Sequence, residues 1–345
     1  MVNNQKFEET FNQVNSQYAN FFENKKVKVL EERKKTLIIM IVVIIGFFLC
    51  AVIPFMFIFL FAGIIGLIIY AAVSNSSNSK NNNPNKKKAS KVSEEDSYTT
   101  QYKQLVVTPF IKLLTPNINY RSNKSMERRA YIDGQFEGFD VYSSNDDIVG
   151  YINNYQFELA NVHTENEHTD SDGHTTYTTV FKGLYAFMPL PNTYEIEMFL
   201  RKDIKDTRKI FKKSGKSFEE LYTKLDSSEF ENKFDVYTNN KIFAAKILTH
   251  DIMQMMVDYV EKYNMPFEFT IKNNYFYIRF PGYDLFEPVI KKDKPALDKG
   301  VLYKDYTTLD FIYTVMYTMY DNINKNKWEW KQKWMLLKHP FTFII

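Results

Sequence analysis

From Leu37 to Val73 the chain carries no charged residue, and this apolar run of 37 residues constrains its fold more than any other feature. As one helix it would be about 55 Å long, against a hydrocarbon core of roughly 30 Å. That is too long for one crossing and suits two short ones. Pro54 sits near the middle, where a missing N–H breaks the helical ladder. Gly46, Gly63 and Gly66 would let two helices approach closely. The expectation is a transmembrane hairpin, with spans at about 37–53 and 55–73. Lys25, Lys26, Lys28, Arg33, Lys34 and Lys35 precede the run; Lys80, Lys86, Lys87, Lys88 and Lys91 follow it. Basic flanks favour the cytoplasmic side. The expected location is therefore the cell membrane, multi-pass, with both termini cytoplasmic. A cleavable signal peptide fits poorly, because the run starts late, is too long and lacks a small-residue cleavage site.

Residues 1–36 read as an amphipathic juxtamembrane helix. Phe7, Phe11, Val14, Tyr18 and Phe21 share one face at helical spacing. Such a stripe packs on the protein's own domain, in a short coiled coil or on a membrane surface, and the spacing leaves all three open. Residues 74–97 are nearly free of apolar side chains and read as a disordered linker. Residues 98–325 mix the two periodicities, predicting a cytoplasmic α+β domain. Strands are expected at 148–152, 155–162, 177–187 and 194–200, with a turn at Asp172–Gly173 in a polar loop. Helices are expected at 102–114, 217–232, 249–263 and 305–320. A tight hairpin turns at Asn273–Asn274. Residues 326–345 form a Trp/Lys-rich tail.

The order of several short segments across this domain resembles the bacterial domain-of-unknown-function family 3137. They are Asp147-Ile148-Val149-Gly150, Phe181-Lys182-Gly183-Leu184, Ser228–Tyr237, Ile247-Leu248-Thr249, Asp284-Leu285-Phe286-Glu287 and Leu309–Tyr313. The resemblance implies an N-terminal helix and two membrane spans ahead of the domain. It implies no chemistry for any residue. His250 stands where the family pattern leads one to expect proline, and 188–193 replaces a more polar turn.

Candidate chemistry is sparse. His163, His168 and His174 lie with Glu165, Glu167, Asp170 and Asp172 in one short segment. Imidazoles and carboxylates together could bind a divalent metal, but the spacing matches no zinc motif and a solvated polar turn is the plainer explanation. No other cofactor is expected. Ser214-Gly215-Lys216-Ser217 looks like the end of a phosphate loop, but Ile210 stands where its first glycine is required. There is no Gly-x-Ser-x-Gly, and the lone Cys50 lies within the apolar run. The formal net charge of +3 provides no field for nucleic acid. Trp328, Trp330 and Trp334 interleave with Lys331 and Lys333, a pairing that favours a membrane interface.

These features lean away from an enzyme. The leading expectation is a membrane-anchored cytoplasmic interaction or scaffolding module, with the bilayer, a protein and a second copy of the chain as its candidate partners. The alternatives are a metal-dependent enzyme using the His163–His174 loop and a lipid-handling or envelope-maintenance factor.

Overall fold

The computed structural model describes residues 4–52, 63–66, 93–115, 117–134, 136–191, 196–201 and 221–338; the side chains of 50–52 and 326–338 lie outside that description. Contacts divide the chain into two units. One comprises Met1–Val14, Lys103–Glu287 and Lys299–Ile345, the other Asn15–Tyr102 and Pro288–Asp298.

The first unit is organised by one eight-stranded sheet. Its strands are β1 (Asn119–Arg121), β2 (Val141–Ile152), β3 (Tyr155–Thr169), β4 (Thr175–Pro189), β5 (Met198–Arg201), β6 (Asp235–Thr238), β7 (Glu268–Lys272) and β8 (Tyr275–Pro281). They lie in the order β1-β2-β3-β4-β8-β7-β5-β6, with every described pairing antiparallel. Asn273 and Asn274 take φ of 52° and 63°, as a two-residue hairpin demands. This sets the β7–β8 register.

Alternation along β7 and β8 sends Phe269, Ile271, Phe276, Ile278 and Phe280 to one face, all buried. There they meet the helices α7 (His250–Tyr263) and α8 (Lys299–Lys338). Tyr259 stacks on Phe311 at 3.7 Å between centroids, and Phe280 lies 6.0 Å from Tyr259. Phe7, at the start of α1 (Asn4–Val52), packs on Phe110, Tyr303 and Tyr306. It is fully buried, which contributes about 2–3 kcal/mol. Short helices complete the unit: α3 (Thr108–Ile111), α4 (Arg128–Asp133), α5 (Ser228–Glu231) and α6 (Lys241–Ile247).

On the opposite face, Tyr131 of α4 and Phe136 cover Phe181, Tyr185 and Tyr277. Arg279 is buried there between Glu268 and Glu137, each 2.7 Å away. Gly183 of β4 has a steric reason: a Cβ there would collide with the Phe280 carbonyl oxygen of β8.

In the second unit, α1 packs on α2 (Glu94–Tyr102). Phe22 meets Tyr98 and Tyr102 edge-on, at 5.4 and 5.8 Å. Arg33 grips Glu95 with two bonds of 2.6 and 2.9 Å. Lys26 donates to the Lys294 carbonyl at 2.6 Å. The helix therefore buries Phe7, Phe11 and Val14 as the stripe predicts, then Phe22, Lys26 and Val29, while Phe21 is 41% exposed. A period of 3.6 residues accounts for the drift of the seam.

The expected fold class is corrected. Among the described residues the domain is a single antiparallel sheet with helices, and no transmembrane hairpin is found ahead of it. Among the described residues no helix is long and apolar enough to cross a membrane, so the multi-pass placement is not supported. The beginning of the apolar run is not a separate span; residues 37–52 are the last turns of α1. Nothing in the basic stretch Arg33–Lys35 breaks a helix, so α1 runs straight through the expected boundary. The large apolar side chains from Leu37 to Leu49 are all exposed, and a helix apolar on every side needs a cover. The proposed turn at Pro54, the linker up to residue 92 and the segment Ser214–Ser217 lie outside the described residues. Residues 94–97 of the expected linker are helical, because Ser93 Oγ accepts from Asp96 N at 3.0 Å and starts α2.

Candidate functional site

Strands β3 and β4 are longer than the sheet that holds them. β2 pairs with β3 only as far as Glu165, opposite Val141. β8 pairs with β4 only from Gly183 onward, opposite Pro281. Beyond those points β3 and β4 pair with each other alone: Glu165 with Thr179, Asn166 with Thr178, Glu167 with Tyr177, His168 with Thr176 and Thr169 with Thr175. Every residue from Glu167 to Thr179 is exposed. The result is a two-stranded ribbon projecting from the sheet, about 20 Å long.

Its residues explain why it holds. Thr and Tyr favour the extended backbone, and the Thr169 and Thr175 hydroxyls meet across the ribbon at 3.2 Å. At the tip, Asp170 Oδ1 accepts from Asp172 N at 3.0 Å and His174 N at 2.8 Å. Gly173 supplies a φ of +83°, which a Cβ would disfavour. At the root, the register slips by one residue between Thr164 and Glu165, a bulge that sharpens the twist. The two edges differ. Asp140 Oδ2 takes the Glu167 N–H at 2.9 Å and so ties the β3 edge. The β4 edge, from Thr175 to Phe181, has no strand against it among the described residues. From Glu165 to Thr179 the ribbon carries Glu165, Glu167, Asp170 and Asp172 and no lysine or arginine.

The three predicted histidines are not brought together. His163 and His168 stand five residues apart on β3, so they face opposite sides, about 17 Å apart. His163 Nε2 lies 3.1 Å from Thr179 Oγ1. His174 is at the tip, where Asp170, Asp172 and His174 present ligand atoms within 4.8 Å of one another. The turn's own hydrogen bonds account for that grouping, and all three residues are exposed.

Below the ribbon is a cleft of about 170 Å³ lined by Ser143, Asn145, Asn161, His163, Lys182 and Asp284. Its floor is a buried charge cluster that sequence reasoning missed. Lys103 Nζ bonds Asp146 at 2.6 Å and Glu287 at 2.7 Å. Asp146, at φ +57° beside the β2 irregularity, also accepts from Tyr120 Oη, Asn145 Nδ2 and Asn161 Nδ2. Asn161 Oδ1 accepts the Leu285 N–H at 3.2 Å. Burial pushes the Asp146 pKa up, against the pull of Lys103 and Tyr120. Four donors on one carboxylate match it fully, so the cluster clamps β1, β2, β3 and 285–287 together and aims no reactive group into the cleft. Nearby, Asp305 accepts from Tyr283 Oη and from Phe286 N at 3.1 Å. Burial raises its pKa to about 7.

The available signal was the charge of Lys103 between the apolar Tyr102 and Val106 on a helical stretch, and the acid pair Asp146–Asp147 inside a strand. The side chains of Trp328, Trp330, Lys331, Lys333 and Trp334 lie outside the described residues; the backbone of α8 continues as helix to Lys338.

Residues 179–320 match the family model described as "Protein of unknown function (DUF3137)". No curated protein matches the chain. Among solved structures, the mycobacterial trehalose monomycolate transport factor A, TtfA, is similar at 9% identity and a TM-score of 0.33, over 64% of this chain and 94% of that one. A likeness that low assigns neither fold nor activity.

Proposed function

For a chain whose residues 179–320 match the DUF3137 family model, we propose a protein-interaction module in which the β3–β4 ribbon is the recognition element. The supporting observation is the ribbon itself: two strands extend past both of their neighbours, with every residue from Glu167 to Thr179 exposed. A two-stranded hairpin alone is marginal in water, and an open strand edge is a template for another strand. The sheet and the Lys103–Asp146 clamp are the rigid mount. Such a mount restricts the ribbon's root and lowers the ordering cost of binding.

The test shortens the ribbon. Replacing residues 166–178 with a two-residue Asn-Gly turn keeps the register at Glu165 and Thr179 and leaves the core untouched. In-cell crosslinking of the full chain and of the shortened chain, followed by purification and mass spectrometry, compares their adducts. The expected result is a normally folded protein that loses its stoichiometric adduct. A folded, shortened protein with the same adducts would overturn the reading.

A further inference from the structure

We propose that the open edge of β4 pairs with the same edge of a second copy of this chain, antiparallel and centred on Tyr177. This rests on the reading of the ribbon as a recognition element and adds the identity of its partner.

The free edges of the sheet are not alike. β1 has three residues and β6 has four, and Tyr222 bridges to Tyr237 of β6. Short edges are poor templates. The β4 edge runs for seven residues, Thr-Thr-Tyr-Thr-Thr-Val-Phe from Thr175 to Phe181, with no charge, proline or glycine. Apart from the bulge at Val180 near its root, it lacks the devices that keep edges apart and is built from strong strand formers.

The stretch is also self-complementary. An antiparallel pair about Tyr177 sets Thr175 opposite Thr179, Thr176 opposite Thr178, and Tyr177 opposite its own copy. Threonine pairs and stacked tyrosines are favourable cross-strand neighbours. The same register brings the acidic turn of each copy, through Asp172, beside Lys182 of the other. Lys182 is 61% exposed and its nearest acid, Asp284, is 3.9 Å away, so its ammonium is accessible. β8 ends at Pro281, opposite Gly183, and occupies the β4 edge from there on, so the incoming ribbon stops before Gly183, which leaves room for this register. The four-stranded ribbon formed, β3-β4-β4-β3, also exceeds the three strands that independent stability requires. A contact of this length falls at the small end of specific interfaces, so the dimer dissociates readily.

Single cysteines placed at each position from 173 to 181, in the full chain with Cys50→Ser, read the pairing directly. Mild oxidation should give a self-crosslink that peaks at Tyr177→Cys, with Tyr151→Cys on β2 as the exposed control. Asp172→Lys or Lys182→Asp should lower the yield at 177 about tenfold, and the two changes together should restore it to within about threefold. A peak at another position, a flat profile equal to the control, or a double variant no better than the single ones would overturn the proposal. Failure here with an intact ribbon-dependent adduct to a different protein leaves the recognition role standing. Unchanged adducts on shortening the ribbon, together with no crosslink peak at 177 in the full chain, would remove both.

Discussion

Lys103→Met tests whether the buried clamp is what fixes the ribbon's mount. Lys103 and Asp146 have side chains only 6% and 2% exposed, with Nζ 2.6 Å from the carboxylate. Glu287 is 45% exposed, so on losing Lys103 it simply returns to water. Asp146 cannot. Breaking a buried pair from one side costs about 3–5 kcal/mol, and the three donors that remain hold this case to about 3 kcal/mol. In urea, with a slope of about 3 kcal/mol per molar, the midpoint should fall by about 1 M. The loss should depend on pH with a definite sign. Without Lys103 the folded-state pKa of Asp146 rises further above its unfolded value. The penalty is then full above the folded pKa and fades as pH falls through it toward the unfolded value of about 4, below which the group is neutral in both states. Adding Asp146→Asn removes the stranded charge and should recover about 1–2 kcal/mol. A loss under 1 kcal/mol, a loss equal at pH 8 and pH 4.5, or a double variant as unstable as the single one would refute this reasoning.

Other expectations follow from the same geometry. Burial, and then the neighbouring Asp147, raises the Glu158 pKa to about 7, so its carboxylate opposes folding and that cost grows as pH rises from about 4.5 through 7. Glu158→Gln should stabilise the protein by about 1 kcal/mol at pH 8, after discounting for its half exposure, and by almost nothing at pH 4; no gain at pH 8 would contradict it. Asp170→Ala removes two bonds of the tip turn and should speed amide exchange at 166–178 about fivefold without moving the global unfolding midpoint; unchanged exchange would argue against that turn. Zinc at about 100 μM should leave ribbon signals unmoved. A stoichiometric shift abolished by His174→Ala would instead establish a metal site at Asp170, Asp172 and His174. Gly183→Ala should cost about 2–4 kcal/mol, read as a lowered unfolding midpoint, because the added methyl forces β4 from β8.

The sequence showed some of this fold clearly. The Asn273–Asn274 turn and the amphipathic α7 were legible because each is local, set by two asparagines and by a 3.6-residue stripe. The ribbon was not. Thr175–Thr176 and His163–Thr169 read as a polar loop because both faces of the ribbon meet water, which erases the alternation that marks a half-buried strand. The apolar run misled for a related reason. Composition registers how much surface wants covering, but not where a helix begins, and α1 begins 33 residues before Leu37. The Lys103 cluster joins residues 43 and 184 positions apart, a distance no spacing rule spans. Of the segments that carried the family resemblance, those around Lys182 and Asp284 meet at the root of the ribbon, while the one after Asp147 lies farther along β2, opposite Glu158 and Leu159. Gly183 among them is explained by its approach to Phe280.

Whether the β3–β4 ribbon carries recognition is decided by a photo-crosslinking amino acid placed at Tyr177 of the full chain and activated in cells, with the exposed Tyr151 as the matched control. Discrete adducts at 177, absent at 151, are the predicted result. Adducts equal at both positions, or none at 177, would contradict the ribbon as the recognition surface.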